Sequence, residues 1–261
     1  MRRYGNLDSQ RISSFAQELA KSELDAIVTV CTVTTQAAIH ATKRTPIVML
    51  SVSDPVGHGL AASLARPATN VTGRSSLSRT LVPKLVDLFH DMVPGADRIA
   101  VLLNSRNPWH ESLWTEALAA AQSLNLTLLR VDGALPGDFD AAIQRMLSSK
   151  ANAVLVLPDD PASLHLRAKM AALAKEHRLP LILPYGDVYD DGALLSYGES
   201  LETTARLAAA HIDKIARGAD AAQLPIEQPT RFRLTVNLKI ASDLGITIPA
   251  TALARADSVI E

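Results

Sequence analysis

The stretch Pro46-Ile47-Val48-Met49-Leu50-Ser51-Val52-Ser53-Asp54-Pro55-Val56-Gly57 decides the fold, because a buried-strand pattern ends abruptly in small hydroxyls, a carboxylate and a proline. The same pattern recurs at Asn104-Ser105-Arg106-Asn107-Pro108, after the apolar run 99–103, and at Pro158-Asp159-Asp160-Pro161, after the apolar run 153–157. In an open α/β sheet, ligands bind in loops at the carboxyl ends of the strands. The sequence therefore predicts several ligand-facing loops and favours holding a molecule over transforming it.

Strand-like and helix-like patterns alternate along the whole chain. The predicted strands are 26–30, 47–50, 99–103, 126–131, 153–157, 181–183 and 193–197. The predicted helices are 9–21, 34–42, 60–65, 77–92, 111–124, 138–148, 163–177 and 201–217. Because the links are short, the alternation indicates α/β architecture with parallel sheets covered by helices on both faces.

The chain is long enough for two doubly wound parallel-sheet lobes. Val93-Pro94-Gly95 breaks a predicted helix just before a new buried strand, which makes it the best boundary. We predict a first lobe of residues 1–97 with about 190–218, and a second lobe of residues 98–189 with about 219–261.

Composition and charge exclude several classes of protein. With 261 residues, 48% of them hydrophobic and 20% charged, the chain has ample core material. A formal net charge of -1 provides no basic field for nucleic acid. No apolar run reaches the ~18 residues of a membrane span. Residues 1–8 lack the apolar region of a signal peptide, so the chain as it stands is expected in the cytoplasm.

Catalytic motifs are incomplete. Gly57-His58-Gly59-Leu60-Ala61-Ala62 loosely fits a dinucleotide-binding pattern, but no acidic residue follows until Asp87 to hold a ribose. Gly73-Arg74-Ser75-Ser76-Leu77 has a leucine where a nucleophile elbow needs glycine. Its serines then either cap a helix or touch a ligand. Cys31 is the single cysteine, is predicted to be buried, and cannot supply the two thiols of a racemase. We predict no enzyme, no catalytic residue and no cofactor.

Histidines and paired carboxylates also favour structural interpretations. The seven histidines lack the close spacing of metal ligands, so no metal site is predicted. His58 and His110 are the exceptions to a surface or half-buried role, because they lie in or just after loops at strand ends. Asp159-Asp160 precedes Pro161, where acidic groups favour the dipole of the following helix over acid-base chemistry.

Several segments together resemble a known family. They are 47–57, 65–73 (Ala-Arg-Pro-Ala-Thr-Asn-Val-Thr-Gly), 195–198 (Leu-Ser-Tyr-Gly), 224–232 (Leu-Pro-Ile-Glu-Gln-Pro-Thr-Arg-Phe), 237–239 (Asn-Leu-Lys) and 244–249 (Leu-Gly-Ile-Thr-Ile-Pro). From about Tyr4 to Glu261 the chain resembles uncharacterised substrate-binding proteins of bacterial ABC transporters, which have the type I periplasmic-binding-protein fold. The resemblance implies two α/β lobes, joined by three crossover strands, that close on a solute by hinge motion.

The resemblance also implies an expectation about the amino terminus. Family members begin with a secretion signal or lipoprotein leader, then a strand and a helix, before the segment that resembles Tyr4-Gly5. We therefore expect an amino-terminally truncated chain or a mispredicted start, with a first lobe that lacks its first strand and helix. The family location would be the periplasm.

The resemblance turns the strand-end loops into candidate ligand contacts. First-lobe candidates are Thr34, Thr35, Ser53, Asp54 and Ser75, and second-lobe candidates are Asn104, Asn107, Asp159, Tyr185 and Tyr197. Helix amino termini favour a carboxylate, and Asp54 or Asp159 could pair with an amine, so an amino acid or similar zwitterion fits. An aromatic ligand could stack on Tyr185 or Trp109. Thr34 could equally cap its helix, and Trp109 could cover the core.

The expected function is the solute-binding component of an ABC importer that delivers a small molecule to a permease in the inner membrane. Two alternatives remain: a cytoplasmic effector-binding or sensory domain of the same fold, or a non-functional truncated gene product. An α/β enzyme lacks a complete set of nucleophile, base and orienting group.

Overall fold

The computed structural model describes residues 1–5, 8–133, 138–187 and 192–261. It divides into two compact units, the first formed by Met1–Leu77 and Glu202–Thr230, the second by Ser78–Leu201 and Arg231–Glu261. Helices alternate with mostly parallel strands in both, which confirms the predicted α/β class. Within the described ranges, no helix is both long enough and apolar enough to cross a bilayer.

Most elements begin and end within a few residues of the predicted bounds. Up to the middle of the chain they are α1 (Ser9–Lys21), β1 (Ile27–Thr29), α2 (Thr32–Ala41), β2 (Ile47–Ser53), β3 (Val71–Ser76), α3 (Ser78–Met92), β4 (Arg98–Leu103), α4 (His110–Ser123) and β5 (Thr127–Asp132). They continue with α5 (Phe139–Ser148), β6 (Ala153–Val156), α6 (Pro161–Glu176), β7 (Leu181–Leu183), β8 (Leu195–Gly198), α7 (Leu201–Ala216), β9 (Ile226–Glu227), β10 (Arg233–Asn237), α8 (Leu238–Leu244), α9 (Ala250–Leu253) and β11 (Ser258–Ile260).

The first unit is built on a parallel sheet in the order β1-β2-β3-β9. The apolar run of β2 is buried on both faces of this sheet. Ile47 and Met49 belong to a cluster on one face, and Val48 packs with Ala208 and Ile215 of α7 on the other. Burial on both faces explains why this strand has a nearly continuous apolar sequence instead of an alternating one.

The second unit has a larger sheet in the order β11-β10-β8-β7-β6-β4-β5. All neighbouring pairs are parallel except β10 and β8. Along β4, Ile99 and Val101 enter the cluster that contains α3 and α4, while Ala100 and Leu102 enter the cluster that contains α5 and α6. The sheet is therefore buried on both faces between helices, and its carboxyl edge is left for loops.

The division between the units differs from the predicted lobe boundaries. Helix α3 packs into the second unit's core through Leu85 and Phe89, so the chain changes unit at Leu77 instead of at Asp97. Strand β8 pairs with β7 and β10 in the second unit, and β9 pairs with β3 in the first. Both assignments are the opposite of the prediction, which placed residues 190–218, and so β8, in the first lobe and residues 219–261, and so β9, in the second. The predicted crossing at 189–190 lies outside the described residues.

The predicted helix at 60–65 is wrong. The N–H groups of Leu60 and Ala61 donate to the carbonyl of Pro55, and that of Ala62 donates to Pro67. The Thr69 hydroxyl donates a hydrogen bond to the Leu60 carbonyl at 3.1 Å. A six-residue helix is costly to nucleate, and here the loop satisfies the same backbone groups without one.

Candidate functional site

The carboxyl edge of the first unit collects all five predicted contacts of the first lobe. Ser53 ends β2 and Asp54 follows it, and Ser75 lies near the end of β3, where Ser53 is in register with Ser76. Thr34 and Thr35 lie in the first turn of α2. Parallel pairing places the ends of β1, β2 and β3 on one side, so the sequence-predicted set forms a common edge.

The two threonines use their hydroxyls to fix the junction between β1 and α2. Thr34 Oγ1 accepts from the N–H of Cys31 at 3.2 Å and donates to its carbonyl at 3.0 Å. Thr35 Oγ1 donates to the same carbonyl at 2.9 Å and so accepts from Thr29 Oγ1 at 2.7 Å. Cys31 is buried, as predicted. Thr34 therefore caps the start of α2, which is the structural alternative that the sequence offered for it.

Asp54 shapes the turn that follows β2. Its φ of 43° lies in the left-handed region, which Asp tolerates better than most residues. Its carboxylate accepts from the N–H of Gly57 at 2.9 Å, and its carbonyl accepts from His58 at 3.0 Å. A Cβ on Gly57 would lie 2.1 Å from Asp54 Oδ2, so this close approach requires glycine.

The serines after Gly73 are placed differently from the prediction. Ser75 and Ser76 end strand β3 and do not start a helix, since α3 begins only at Ser78. Ser75 is buried, and its hydroxyl donates to the carbonyl of Ser76 at 3.2 Å. The backbone of β3 continues through them because both pair with the end of β2.

Arg74 is a buried cation that sequence reasoning passed over. Its side chain is 3% exposed and its Nη1 lies 3.5 Å from Glu227 Oε2 on the neighbouring strand. Burial lowers the pKa of Arg74, and the Glu227 carboxylate opposes that change. A charged residue inside a strand of small residues was the available signal.

The carboxyl edge of the second unit is formed by the loops after β4, β6 and β7. Asn104 and Asn107 follow β4, Asp159 follows β6, and Tyr185 follows β7. Because these strands are parallel, the four predicted residues share one edge. Tyr197 lies near the same edge in β8, where its ring packs on Phe232 with centroids 5.8 Å apart.

Three side chains hold three consecutive carbonyls after β6. His110 Nε2 donates to Pro158 at 3.0 Å, Asn107 Nδ2 donates to Asp159 at 2.8 Å, and Ser163 Oγ donates to Asp160 at 2.7 Å. We call these three donors and residues 158–160 the carbonyl clamp. It holds Asp159 at a φ of 67°, again in the left-handed region. The predicted strand-end candidate Asn107 is therefore a member of the clamp.

The protonation state of His110 follows from its partners. The N–H of Asn104 donates to His110 Nδ1 at 2.9 Å, so Nδ1 carries no proton and Nε2 carries it. Burial lowers the pKa of His110 to about 4, although the Pro158 carbonyl and the Asp132 carboxylate oppose this change. His110 is thus a neutral link between the loops after β4 and β6.

Asp160 caps α6, as its position before Pro161 predicted. Its Oδ1 accepts from the N–H of Ala162 at 2.9 Å. Burial raises the pKa of Asp160 to about 6, while that N–H and the nearby amide of Asn104 act in the opposite direction. Asn104 Oδ1 accepts from the N–H of Arg106 at 3.0 Å, so this amide also stabilises the loop after β4.

Tyr185 extends the network to the loop after β7. Because Ser163 Oγ donates to Asp160, it accepts from the Tyr185 hydroxyl at 2.8 Å. Burial raises the pKa of Tyr185 and that of Tyr197. Trp109 is half-buried at the start of α4, and its backbone N–H donates to Asn107 Oδ1 at 3.2 Å. Sequence reasoning missed Ser163, which bonds the carbonyl of the N-cap residue of its own helix and the Tyr185 hydroxyl on the loop after β7.

The described ranges contain no group of three or more His, Cys, Asp or Glu side chains that could hold a metal ion. Two of the residues with perturbed pKa values, His110 and Asp160, belong to a hydrogen-bonded network that stabilises loops. The arrangement at both edges consists of fixed donors and acceptors, which suits noncovalent recognition.

Two α/β units with polar carboxyl edges define a solute-binding protein with the type I periplasmic-binding-protein fold. The family model described as ABC transporter substrate binding protein matches residues 5–260, and the chain belongs to that family.

Relatives with solved structures share this fold over nearly the whole chain. The ABC domain of Streptococcus pneumonia in complex with L-Trp has a TM-score of 0.85 and 25% identity, covering 97% of this chain and 84% of its own. A conserved domain protein from Vibrio cholerae has a TM-score of 0.85 and 28% identity, covering 96% and 83%.

A curated relative adds a similarity in sequence. The tyrosine-binding protein of Clostridioides difficile (strain R20291) is 25% identical over 231 residues, which are 88% of this chain. The match spans 66% of that relative's length.

Proposed function

We propose that this protein is the solute-binding component of an ABC importer, which binds an amino acid or similar zwitterion and delivers it unchanged to a membrane permease. The observation that carries the proposal is the family match over residues 5–260. The family consists of substrate-binding proteins, so the proposed action is capture and release, without turnover. Periplasmic location is part of the proposal, because importers of this kind receive solute there.

The chemistry of the two edges supports a zwitterionic ligand. Asp54 and Asp159 each follow a central strand and offer a carboxylate at the edge of their unit, suited to an ammonium group. Helix starts at α2, α4 and α6 present partial positive charge to a ligand carboxylate. A charge-assisted hydrogen bond to a buried ligand is stronger than a neutral one, so both ends contribute to selectivity.

The relatives support amino acids as the substrate class. One curated relative is named a tyrosine-binding protein, and one similar structure holds L-Trp. An aromatic amino acid is therefore the first ligand to test, with Tyr185 and Trp109 as the stacking candidates at the second unit's edge.

The proposed contacts keep the set identified from the sequence. They are Thr34, Thr35, Ser53, Asp54, Ser75, Asn104, Asn107, Asp159, Tyr185 and Tyr197. We rank Asp54 and Asp159 first for the ammonium group, because a carboxylate can form a charge-assisted hydrogen bond with it and a threonine hydroxyl or an amide cannot.

The test is a ligand screen of the purified protein by thermal shift. L-Trp, L-Tyr and L-Leu are compared with D-ribose and with buffer, and each stabilising compound is recovered and weighed by mass spectrometry. We expect an amino acid to raise the melting temperature and to be recovered unchanged. Stabilisation by ribose alone would overturn the proposed substrate class, and a chemically altered ligand would overturn binding without turnover.

A further inference from the structure

We propose that Asn107, His110 and Ser163 are positioning residues, which hold residues 158–160 in the shape that receives ligand. This inference rests on the proposed function, because it assigns roles within the same edge of the second unit. It changes the expected role of Asn107 from ligand contact to support. It also adds two residues, His110 and Ser163, that were not among the predicted contacts.

The geometry shows why the loop needs support. Asp159 adopts a left-handed backbone conformation, which costs free energy for a residue with a side chain unless its surroundings hold it. The carbonyls on either side of it, and its own, are each taken by a side-chain donor at 2.7 to 3.0 Å. Bonds to three consecutive carbonyls therefore fix the path of the chain at residues 158–160, after β6 has ended at Val156.

The existing hydrogen bonds of these donors indicate support of the loop. Asn107, His110 and Ser163 are all buried, and their polar atoms are occupied. Asn107 donates to Asp159 and accepts from Trp109. His110 donates to Pro158 and accepts from Asn104. A side chain engaged at both ends stabilises the loop, and leaves recognition to the groups that the loop presents.

Asn107→Asp tests the clamp with a change of one group. The carboxylate keeps the acceptor for Trp109 and replaces the donor to Asp159 with a second acceptor, so that one clamp bond becomes a repulsion. Asn152→Asp is the control for general destabilisation of the same unit. Asn152 is exposed, its Nδ2 donates to the Gly95 carbonyl and to the Asp97 carboxylate at 2.8 Å, and its Oδ1 accepts from the backbone N–H of Arg98 at 3.0 Å. This substitution also replaces a donor with an acceptor, but at the amino end of β4 and β6, away from the clamp.

The first measurement needs no ligand. Hydrogen exchange of the folded protein is compared for the segment 158–164 in the wild type and both variants. We expect Asn107→Asp to exchange at least tenfold faster there than the wild type, and Asn152→Asp to leave the segment unchanged. Equal rates in the two variants would overturn the clamp, whatever the protein binds.

The second measurement is calorimetric affinity for the amino acid that stabilises the wild type. We expect Asn107→Asp to raise its Kd at least tenfold and Asn152→Asp to change it less than twofold. Faster exchange with an unchanged Kd would overturn the positioning role. If the wild type binds no amino acid, the proposed function fails, and hydrogen exchange alone decides whether the clamp exists.

Discussion

The two units hold a similar turn at the end of a strand by different contacts. In each, an aspartate with a left-handed backbone follows a central strand, Asp54 after β2 and Asp159 after β6. The first turn is held locally, because the Asp54 carboxylate bonds the N–H of Gly57. The second is held by the carbonyl clamp, in which Asn107 and His110 lie 52 and 48 positions from the carbonyls that they bond, and Ser163 bonds a carbonyl 3 positions before it. Similar geometry at a ligand-facing edge can therefore come from a short motif or from distant residues.

Protonation of His110 should weaken the second turn, although the raised pKa of Asp160 opposes its effect on the stability of the unit below pH 6. The pKa of His110 is lowered from 6.5 to about 4 in the folded state, so the unfolded chain takes up the proton first as pH falls. His110 therefore contributes stability that is fully present above pH 6.5 and is lost between pH 6.5 and 4. At about 1.4 kcal/mol per pKa unit, the loss is on the order of 3 kcal/mol.

The measurement is chemical denaturation from pH 7.5 to 4 for the wild type and His110→Asn. Asparagine keeps an acceptor for the N–H of Asn104 but does not titrate. We expect the wild type to lose more stability than the variant over this range. Parallel pH profiles would show that His110 does not link the loops as described.

Gly57→Ala should break the local turn of the first unit. The added Cβ would overlap the Asp54 carboxylate, which must move and release the Gly57 N–H. We expect a loss of about 1 to 1.5 kcal/mol in the free energy of unfolding, because an exposed turn loses one hydrogen bond. The control is the same substitution in an Asp54→Ala background, which removes the carboxylate that the Cβ would overlap. An equal loss from Gly57→Ala in both backgrounds would contradict the account.

Asp160→Asn should stabilise the second unit at neutral pH. Burial raises the pKa of Asp160 from 3.8 to about 6, so the folded state favours the protonated form, and stability falls as pH rises from 3.8 to 6. Asparagine keeps the capping acceptor without the charge. We expect a gain of about 1 to 2 kcal/mol at pH 7.5 that disappears near pH 4, measured by denaturation. A loss at pH 7.5 would show that the charge itself is needed.

Asp54→Asn should have the smallest effect on stability. Asparagine retains an oxygen for the Gly57 N–H and also tolerates the left-handed conformation. We expect a change below about 0.5 kcal/mol, measured by thermal denaturation. A larger loss would mean that the turn depends on the charge of Asp54, and that the hydrogen bond to the Gly57 N–H does not hold it alone.

The sequence predicts the strand ends well and their support poorly. Apolar runs of strand length located β2, β4 and β6, because burial on both faces leaves a continuous pattern. The sequence also located Asp54 and Asp159, since each lies in the polar segment that follows such a run. The role of Asn107 could not be read, because its partner carbonyl lies 52 positions away.

The two differences from the sequence predictions have different origins. The false helix at 60–65 was placed after a glycine turn, whereas the N–H groups of residues 60–62 bond to the nearby Pro55 and Pro67 carbonyls. The predicted lobe boundary at residue 97 followed a local helix break, whereas α3 is assigned to a unit by the core that buries Phe89. Loop contacts decide the first case, and packing against distant residues decides the second.

The central claim, that a carboxylate at the second unit's edge receives the ammonium group of an amino acid, has one direct measurement. Calorimetry compares L-Trp with indole-3-propionate, which lacks the ammonium group, on the wild type and on Asp159→Asn. We expect the wild type to prefer L-Trp at least tenfold, about 1.4 kcal/mol, and the variant to lose most of that preference. Equal binding of the two compounds by the wild type, or an unchanged preference in the variant, would contradict the claim.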